Sequence, residues 1–242
     1  MLPGVYDIFQ ERWGQGQSCY IYSDPHFNDE EQCKMCPYWP DDDEQVKMIN
    51  SKVGRKDTLI ILGDCGDLEY IKKLRGYKIL IMGNHDTGAT KYKRKIEVKE
   101  FALNRYQKHE AIEEMKRLYP GCKYSIQSCW DFTEPFEYWE VSADNCLFDE
   151  VYEGPLFIGE KLLLSHEPID FPFALNLHGH DHSGWMKYAR TENFCSNIIN
   201  FTPVNLNQYL KFGPTSKINS IHRSTINEAT KRKKHRQQKG NK

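Results

Sequence analysis

Five times in this chain, a short run rich in aliphatic and β-branched residues stops at residues able to bind a metal. The runs are Ser18–Tyr22 leading to Asp24, Thr58–Leu62 leading to Gly63 and Asp64, and Lys78–Met82 leading to Gly83 and Asn84. Lys161–Leu164 then leads to His166, and Ala174–Leu177 leads to His178. Apolar runs of this length are the pattern of buried strands. Loops after the C-terminal ends of strands are where α/β sheets carry their sites. The pattern predicts an α/β fold whose chemistry is gathered along one end of its sheets.

Between the first three runs the period changes to that of a helix. Val46, Ile49 and Val53 follow an Asp41–Asp43 cluster suited to capping a helix start, and Leu68, Ile71 and Leu74 repeat the spacing. Residues 18–82 therefore read as a βαβαβ unit with neighbouring parallel strands. Residues 91–147 interrupt this order. Val98, Phe101, Arg105, Ile112, Met115 and Leu118 outline one helix from about Glu97 to Tyr119, ended by Pro120-Gly121. An aromatic stretch from Tyr124 to Val141 follows, whose rings pack the helix or line a cap able to stack on a base or sugar. Asn193–Phe201 is expected as a closing strand and Pro203–Phe212 as a short helix. The expected organisation is one domain over residues 1–224 with a cap insertion at about 91–147, then a disordered basic tail over 225–242.

The formal charge of −1 conceals this tail: residues 231–242 carry seven Lys and Arg and no acid, so the rest of the chain is acidic. Such a run is a solvated tail or a weak, salt-sensitive contact for nucleic acid or another acidic partner. Hydrophobic residues at 39% and charged residues at 28% suit a globular chain and exclude a disordered or collagen-like one. No window approaches eighteen apolar residues, and the first residues lack a basic segment followed by an apolar one. The expectation is a cytoplasmic protein without a membrane partner, its eight cysteines free thiols. Cys33 and Cys36 have the spacing of half a zinc site, but no second close pair completes it.

The polar ends of the runs form five blocks: Asp24-Pro25-His26, Gly63-Asp64, Gly83-Asn84-His85-Asp86, Ser165-His166 and Gly179-His180-Asp181-His182. A lone histidine after a strand is ordinarily structural; five such blocks offering only oxygen and nitrogen donors are a coincidence that calls for a cause. Two cations about 3.5–4 Å apart need a shared anionic ligand together with carboxylate, amide and imidazole donors. Alternate residues of an extended loop project the same way, so Asp24 with His26, and His180 with His182, can each serve one small volume. The donor types suit Mn²⁺ first, and also Fe, Mg²⁺ or Zn²⁺.

In order and type, the blocks resemble the pattern D-x-H, G-D, G-N-H-[DE], H, G-H-x-H of the calcineurin-like metallophosphoesterases, over residues 24–182. The resemblance implies a four-layer α/β/β/α sandwich with a small helical and aromatic cap. It implies that Asp24, His26, Asp64 and His182 hold one metal, and that Asp64, Asn84, His166 and His180 hold a second, with Asp64 bridging. It further implies that His85 faces the substrate as general acid, oriented by Asp86. The activity implied is hydrolysis of a phosphodiester or phosphomonoester by a hydroxide held between the metals, with nucleotides or nucleic acid as favoured substrates. The Ser/Thr phosphatase branch extends the second block to G-D-x-x-D-R-G and places Arg before the third. Here the second reads Gly63-Asp64-Cys65-Gly66-Asp67-Leu68, and Met82 precedes the third. Both phosphate-clamping arginines are missing, and the short interval from His166 to His180 is closer to the compact phosphoesterases of bacteria and phages. The alternatives are a phosphoprotein phosphatase with the same site and a non-catalytic nucleic-acid-binding module.

Overall fold

The structure, a computed structural model, describes residues 17–36, 38–133, 136–186, 188–218 and 221–240. They form two compact units: one comprises the chain up to Ala89 and again from Val151, and the other runs from Thr90 to Glu150. The fold is mixed α/β, with three sheets and six helices among the described residues.

In the larger unit, β1 (Cys19–Tyr22), β2 (Thr58–Ile61) and β3 (Tyr77–Ile81) are parallel neighbours. A short helix α1 (Glu30–Met35) and then α2 (Asp42–Lys52) connect the first two, and α3 (Leu68–Lys73) connects the next. Their starts are local chemistry: the Asp41 carboxylate accepts from Glu44 N at 2.8 Å and that of Asp67 from Glu69 N at 2.9 Å, taking up orphan donors of the first turn. The βαβαβ unit is thus present where the periodicities predict it. Edge strands β7 (Glu150–Tyr152) and β12 (Val204–Asn205) complete a five-stranded sheet in the order β12-β1-β2-β3-β7.

A second sheet has the order β11-β10-β9-β8, from β8 (Leu156–Ile158), β9 (Leu162–Leu164), β10 (Leu175–His178) and β11 (Thr191–Asn193). The two sheets share one core. Cys19, Ile21, Ile60, Leu62, Ile79 and Ile81 of the first are clustered with Leu156, Ile158, Leu162, Leu164, Leu175 and Leu177 of the second. Alternate residues do this because side chains on a strand change face at every step. Their neighbours Leu59, Ile61 and Leu80 are buried as well, so the central strands are covered on both faces and read as continuous apolar runs.

The smaller unit corrects two expectations. The long helix expected from Glu97 is a strand, β4 (Ile96–Ala102), followed by the helix α4 (Lys108–Leu118). Ile96, Val98, Glu100 and Ala102 share one strand face, and Phe101 and Lys99 share the other. The real helix start is the capping box of Gln107 with Glu110, where Gln107 N donates to Glu110 Oε2 at 2.7 Å. The aromatic stretch is a hairpin, β5 (Lys123–Asp131) and β6 (Phe136–Asp144), with β6 central in the sheet. Phe101, Ala111, Met115, Val141 and Ala143 form the core, with Trp139 packed against it and its indole N–H donating to Tyr106 O. Phe132, by contrast, is 90% exposed.

Two further expectations change. Within Asn193–Phe201 only the first residue is strand, because the chain turns at once: Ile199 N donates to Cys195 O, and Asn200 and Phe201 adopt left-handed φ values of 50° and 52°. Beyond the expected short helix, α5 (Leu206–Lys211), the tail expected to be disordered forms a helix, α6 (Ile221–Gly240). Its described side chains are exposed, or half-buried at Ser224, and Glu228 pairs with Lys231 one turn on, so its regularity comes from local contacts. No helix of the described residues is long and apolar enough to cross a membrane.

Candidate metal centre

All five blocks lie in the larger unit, in loops leaving β1, β2, β3, β9 and β10. Four of their residues have left-handed backbones, with φ of 53° at Asp24, 43° at His26, 51° at Asp64 and 64° at His180. Residues with side chains hold such conformations at a cost of about 1–3 kcal/mol each when their surroundings impose them, and they gather at functional sites. The surroundings here are tight. A Cβ on Gly83 would lie 2.2 Å from Asp64 Oδ1, and one on Gly179 would lie 2.1 Å from Asp24 Oδ2, so both glycines let backbone pass directly against a carboxylate.

Two clusters result. In the first, His182 Nε2 stands 3.5 Å from Asp24 Oδ1 and 3.3 Å from His26 Nε2, while His26 Nε2 is 3.9 Å from Asp24 Oδ1 and 3.8 Å from Asp64 Oδ2. In the second, His166 Nε2 is 2.8 Å from Asn84 Oδ1, 3.1 Å from His180 Nδ1 and 3.3 Å from Asp64 Oδ2, and His180 Nδ1 is 3.1 Å from Asn84 Oδ1. Donors bound at about 2.0–2.2 Å around one ion stand about 2.8–3.6 Å apart for right-angled to tetrahedral arrangements. The second cluster has that spacing at every measured edge, and the first is slightly looser around His26. Asp64 Oδ2 reaches both clusters, while its Oδ1 accepts from His85 N at 3.0 Å. The donor set fits hard to borderline divalent ions.

The imidazoles are held from behind. His26 Nδ1 is 2.9 Å from Asp29 Oδ2, His166 Nδ1 is 2.7 Å from Leu62 O, and His182 Nδ1 is 3.2 Å from Asn197 Oδ1. Occupying one ring nitrogen fixes the tautomer and aims the other at the cluster, as expected of metal-ligating histidines. Burial disfavours the cation at His166, but the Asp64 hydrogen bond and the charges of Asp24 and Asp64 outweigh it and push the imidazole up to about 9. Burial likewise opposes ionisation of Asp64, yet hydrogen bonds from His166 and His85 N, with the nearby imidazolium charge, hold it below the usual carboxylate range.

Two residues of the blocks stand apart. His85 is exposed, its ring 5.8 Å from that of His26, at the open side of the clusters. Among the described residues no hydrogen bond joins Asp86 to His85, where the resemblance implies that it orients the ring. Asp86 Oδ2 accepts from Asp64 N and Gly83 N, both at 2.9 Å, and Oδ1 accepts from Cys65 N at 3.2 Å. This buried carboxylate ties the loops after β2 and β3 together because three converging N–H groups need an acceptor.

Sequence reasoning missed several participants. Cys195 Sγ lies 3.3 Å from Asp24 Oδ2, and burial followed by the Asp24 charge pushes its thiol far up, so it is protonated and donates. The sequence marks Cys195 only as one of eight cysteines, none of which forms a disulfide. Asp29 has no signal beyond being polar and three residues from His26, and Asn197, fifteen residues from His182, has none. Trp39 packs edge-on or tilted against His26 and His182, with ring centres 6.1 and 5.8 Å away. His178 is fully buried with Nδ1 2.8 Å from Gly179 O, as a structural strand-end histidine would be. Cys33 and Cys36 belong to none of the potential metal-binding groups among the described residues.

Comparison with known proteins adds little to this geometry. No protein-family model matches the chain, and no curated protein matches it. Among solved structures it is similar to AQ665, a protein of unknown function from Aquifex aeolicus, with 19% sequence identity and a TM-score of 0.46 over 81% of this chain and 99% of that one.

Proposed function

We propose that this protein is a dimetal-dependent phosphoesterase of the calcineurin-like type, acting on phosphodiesters or phosphomonoesters, with nucleotides or nucleic acid as the favoured substrates. The observation that carries the reading is Asp64 Oδ2, one carboxylate oxygen 3.3 Å from a nitrogen of one cluster and 3.8 Å from a nitrogen of the other. A single anion shared by two nitrogen-rich clusters is the arrangement a two-ion site needs. Asp24, His26 and His182 would hold one ion, and Asn84, His166 and His180 the other, with Asp64 common to both. Mn²⁺, Fe, Mg²⁺ or Zn²⁺ suits these donors, and such a pair lowers the pKa of water and neutralises phosphoryl oxygens.

The protein's own groups do the rest. Asp24, Asp64 and the imidazoles of His26, His166 and His182 are held by hydrogen bonds from outside the clusters, so the phosphoryl group meets an arrangement that need reorganise little. His85, exposed on the open side, would donate a proton to the leaving oxygen, a contribution typically of about 10²–10⁴-fold. The four-layer sandwich belongs to the same proposal, supported by two sheets sharing one core and by the crossover helices beside β1–β3. The nucleotide preference draws support from Trp185, three residues beyond His182 and 87% exposed on a loop pinned by Asp181, whose carboxylate accepts from Ser183 N and Met186 N. An exposed indole three residues from a candidate ligand offers a stacking surface for a base.

The test is hydrolysis of bis(p-nitrophenyl) phosphate and p-nitrophenyl phosphate with Mn²⁺ and with EDTA. Turnover is expected to need the metal, to fall at least about 100-fold in Asp64→Asn and in His85→Ala, and to fall in His85→Ala without loss of bound ions. Turnover indifferent to EDTA or to both substitutions would refute the reading. Two bound ions without turnover on any ester would point to the nucleic-acid-binding alternative.

A further inference from the structure

Two residues that grip Asp24 belong to none of the five blocks. Cys195 forms an isolated parallel bridge with Ser23, and Ser196 N donates to Ser23 O at 2.9 Å. The Ser196 hydroxyl donates to Asp24 O at 2.8 Å, and Cys195 Sγ lies 3.3 Å from Asp24 Oδ2. All four residues are completely buried. The Asp24 carboxylate is therefore divided between two tasks. Its Oδ2 faces Cys195 Sγ at 3.3 Å, His180 N donates to both oxygens, at 3.0 Å to Oδ2 and 3.2 Å to Oδ1, and Oδ1 is the oxygen near His182 Nε2 and His26 Nε2.

We propose that Cys195 and Ser196 act as a positioning clamp on Asp24, the thiol holding Oδ2 so that Asp24 offers an ion one oxygen, and the hydroxyl fixing the left-handed turn that aims it. The inference rests on the dimetal reading in so far as Asp24 binds an ion. A carboxylate free to swing could bind through both oxygens and fill a position that water or substrate must occupy; a catalytic ion keeps such a position open. The thiol is a weak donor, but between two groups shut away from water a weak donor with fixed geometry suffices to choose between two oxygens. The rival role for the sulfur is direct ligation, since ligand atoms of Asp24, His182 and Cys195 lie within 4.8 Å of one another.

Calorimetric titration of the metal-free full-length protein with Co²⁺, together with the absorption spectrum of the Co²⁺ form, separates these roles. Wild type is expected to show two binding steps and no sulfur-to-cobalt charge-transfer band. Cys195→Ala is expected to weaken one step by about 10–100-fold, the usual cost of losing a group that orients a ligand, and to leave the other unchanged. Cys195→Ser, which keeps a donor, should restore that step, and Ser196→Ala should weaken the same one. Each variant's melting temperature is recorded without metal, so a global loss of structure is seen directly. Unchanged binding in Cys195→Ala would overturn the clamp, as would a charge-transfer band in wild type that disappears in Cys195→Ser. A wild-type protein that takes up no Co²⁺ would overturn the clamp and the dimetal reading together. Two bound ions without esterase activity would remove only the proposed function, and the titrations would still decide the clamp.

Discussion

Adding one methyl group at Gly179 should disable the metal centre without unfolding the protein. An ideal Cβ there would sit 1.9 Å from Ser23 Oγ, 2.1 Å from Asp24 Oδ2 and 2.7 Å from Ser23 Cβ. These atoms cannot simply rotate away. Ser23 Oγ donates to Leu62 O at 2.8 Å inside the core, and Asp24 Oδ2 is held by Cys195 and by the backbone of His180. Ordinary contact begins about 3.4 Å from a Cβ, so relief requires shifts of more than 1 Å. Overpacking of a tight site costs about 1–3 kcal/mol, and leaving the Leu62 carbonyl or the Asp24 oxygen without its partner adds about 1–3 kcal/mol. A destabilisation of about 2–6 kcal/mol follows for Gly179→Ala. Displacing a ligand by about 1 Å should also lower metal-dependent turnover by about 100-fold. Gly154→Ala is the control, because a Cβ there has no neighbour within 4 Å and the glycine is not in the left-handed region. Urea unfolding and Mn²⁺ titration of both variants measure the two quantities. A Gly179→Ala protein as stable as Gly154→Ala, binding two ions with wild-type affinity, would refute the packing described for Asp24.

Without metal, stability should depend on pH through His166. Its folded-state pKa, up to about 9, lies above the ordinary value of 6.5, so the stabilisation is complete below pH 6.5 and is lost as pH rises through 9. Its size is up to about 3 kcal/mol. Urea unfolding in EDTA between pH 6 and 10 should show the decline, and His166→Asn should flatten it; an unchanged slope in that variant would refute the assignment. Asp86→Ala should cost about 2–4 kcal/mol by leaving three backbone N–H groups without their acceptor. Asp86→Asn, whose amide keeps one acceptor oxygen, should cost less than Asp86→Ala in urea unfolding, and an equal or larger cost would refute the tie between the loops.

The site was more legible than the loops that support it, and the reason is where the information lies. Asp24, Asp64, Asn84, His166 and His180 each follow directly after an apolar run, so chain neighbours alone place them at strand ends. The parallel β1–β2–β3 order was equally accessible, because the intervening helices carry clear periods and caps. The role of Asp86 is illegible in the sequence because its partners are backbone N–H groups, two of them in the loop after β2, which leave no trace in side-chain type. Cys195 and Ser196 could not be found at all: they lie 171 and 172 residues from Asp24, and only the docking of the β10–β11 segment beside β1 brings them there. The helix expected at Glu97 failed for a different reason. Val98, Phe101 and Arg105 fit a helical spacing as well as Ile96, Val98 and Glu100 fit an alternating one, and pairing with β6 decides in favour of the strand.

The division of the site between two sheets also sets an order of events during synthesis. Asp24, His26, Asp64 and Asn84 follow strands of the first sheet, whereas His166, His180 and His182 follow strands of the second, with His166 separated from Asn84 by 82 positions. At about 5–20 residues per second, His166 leaves the ribosome about 4–16 s after Asn84. For that interval the nascent chain carries two carboxylates, one amide and one imidazole from the centre, together with an apolar sheet face whose covering strands are still being made. Burial of that face and arrival of the remaining imidazoles are one event, so ion uptake by the newborn chain would time the moment at which its two sheets close.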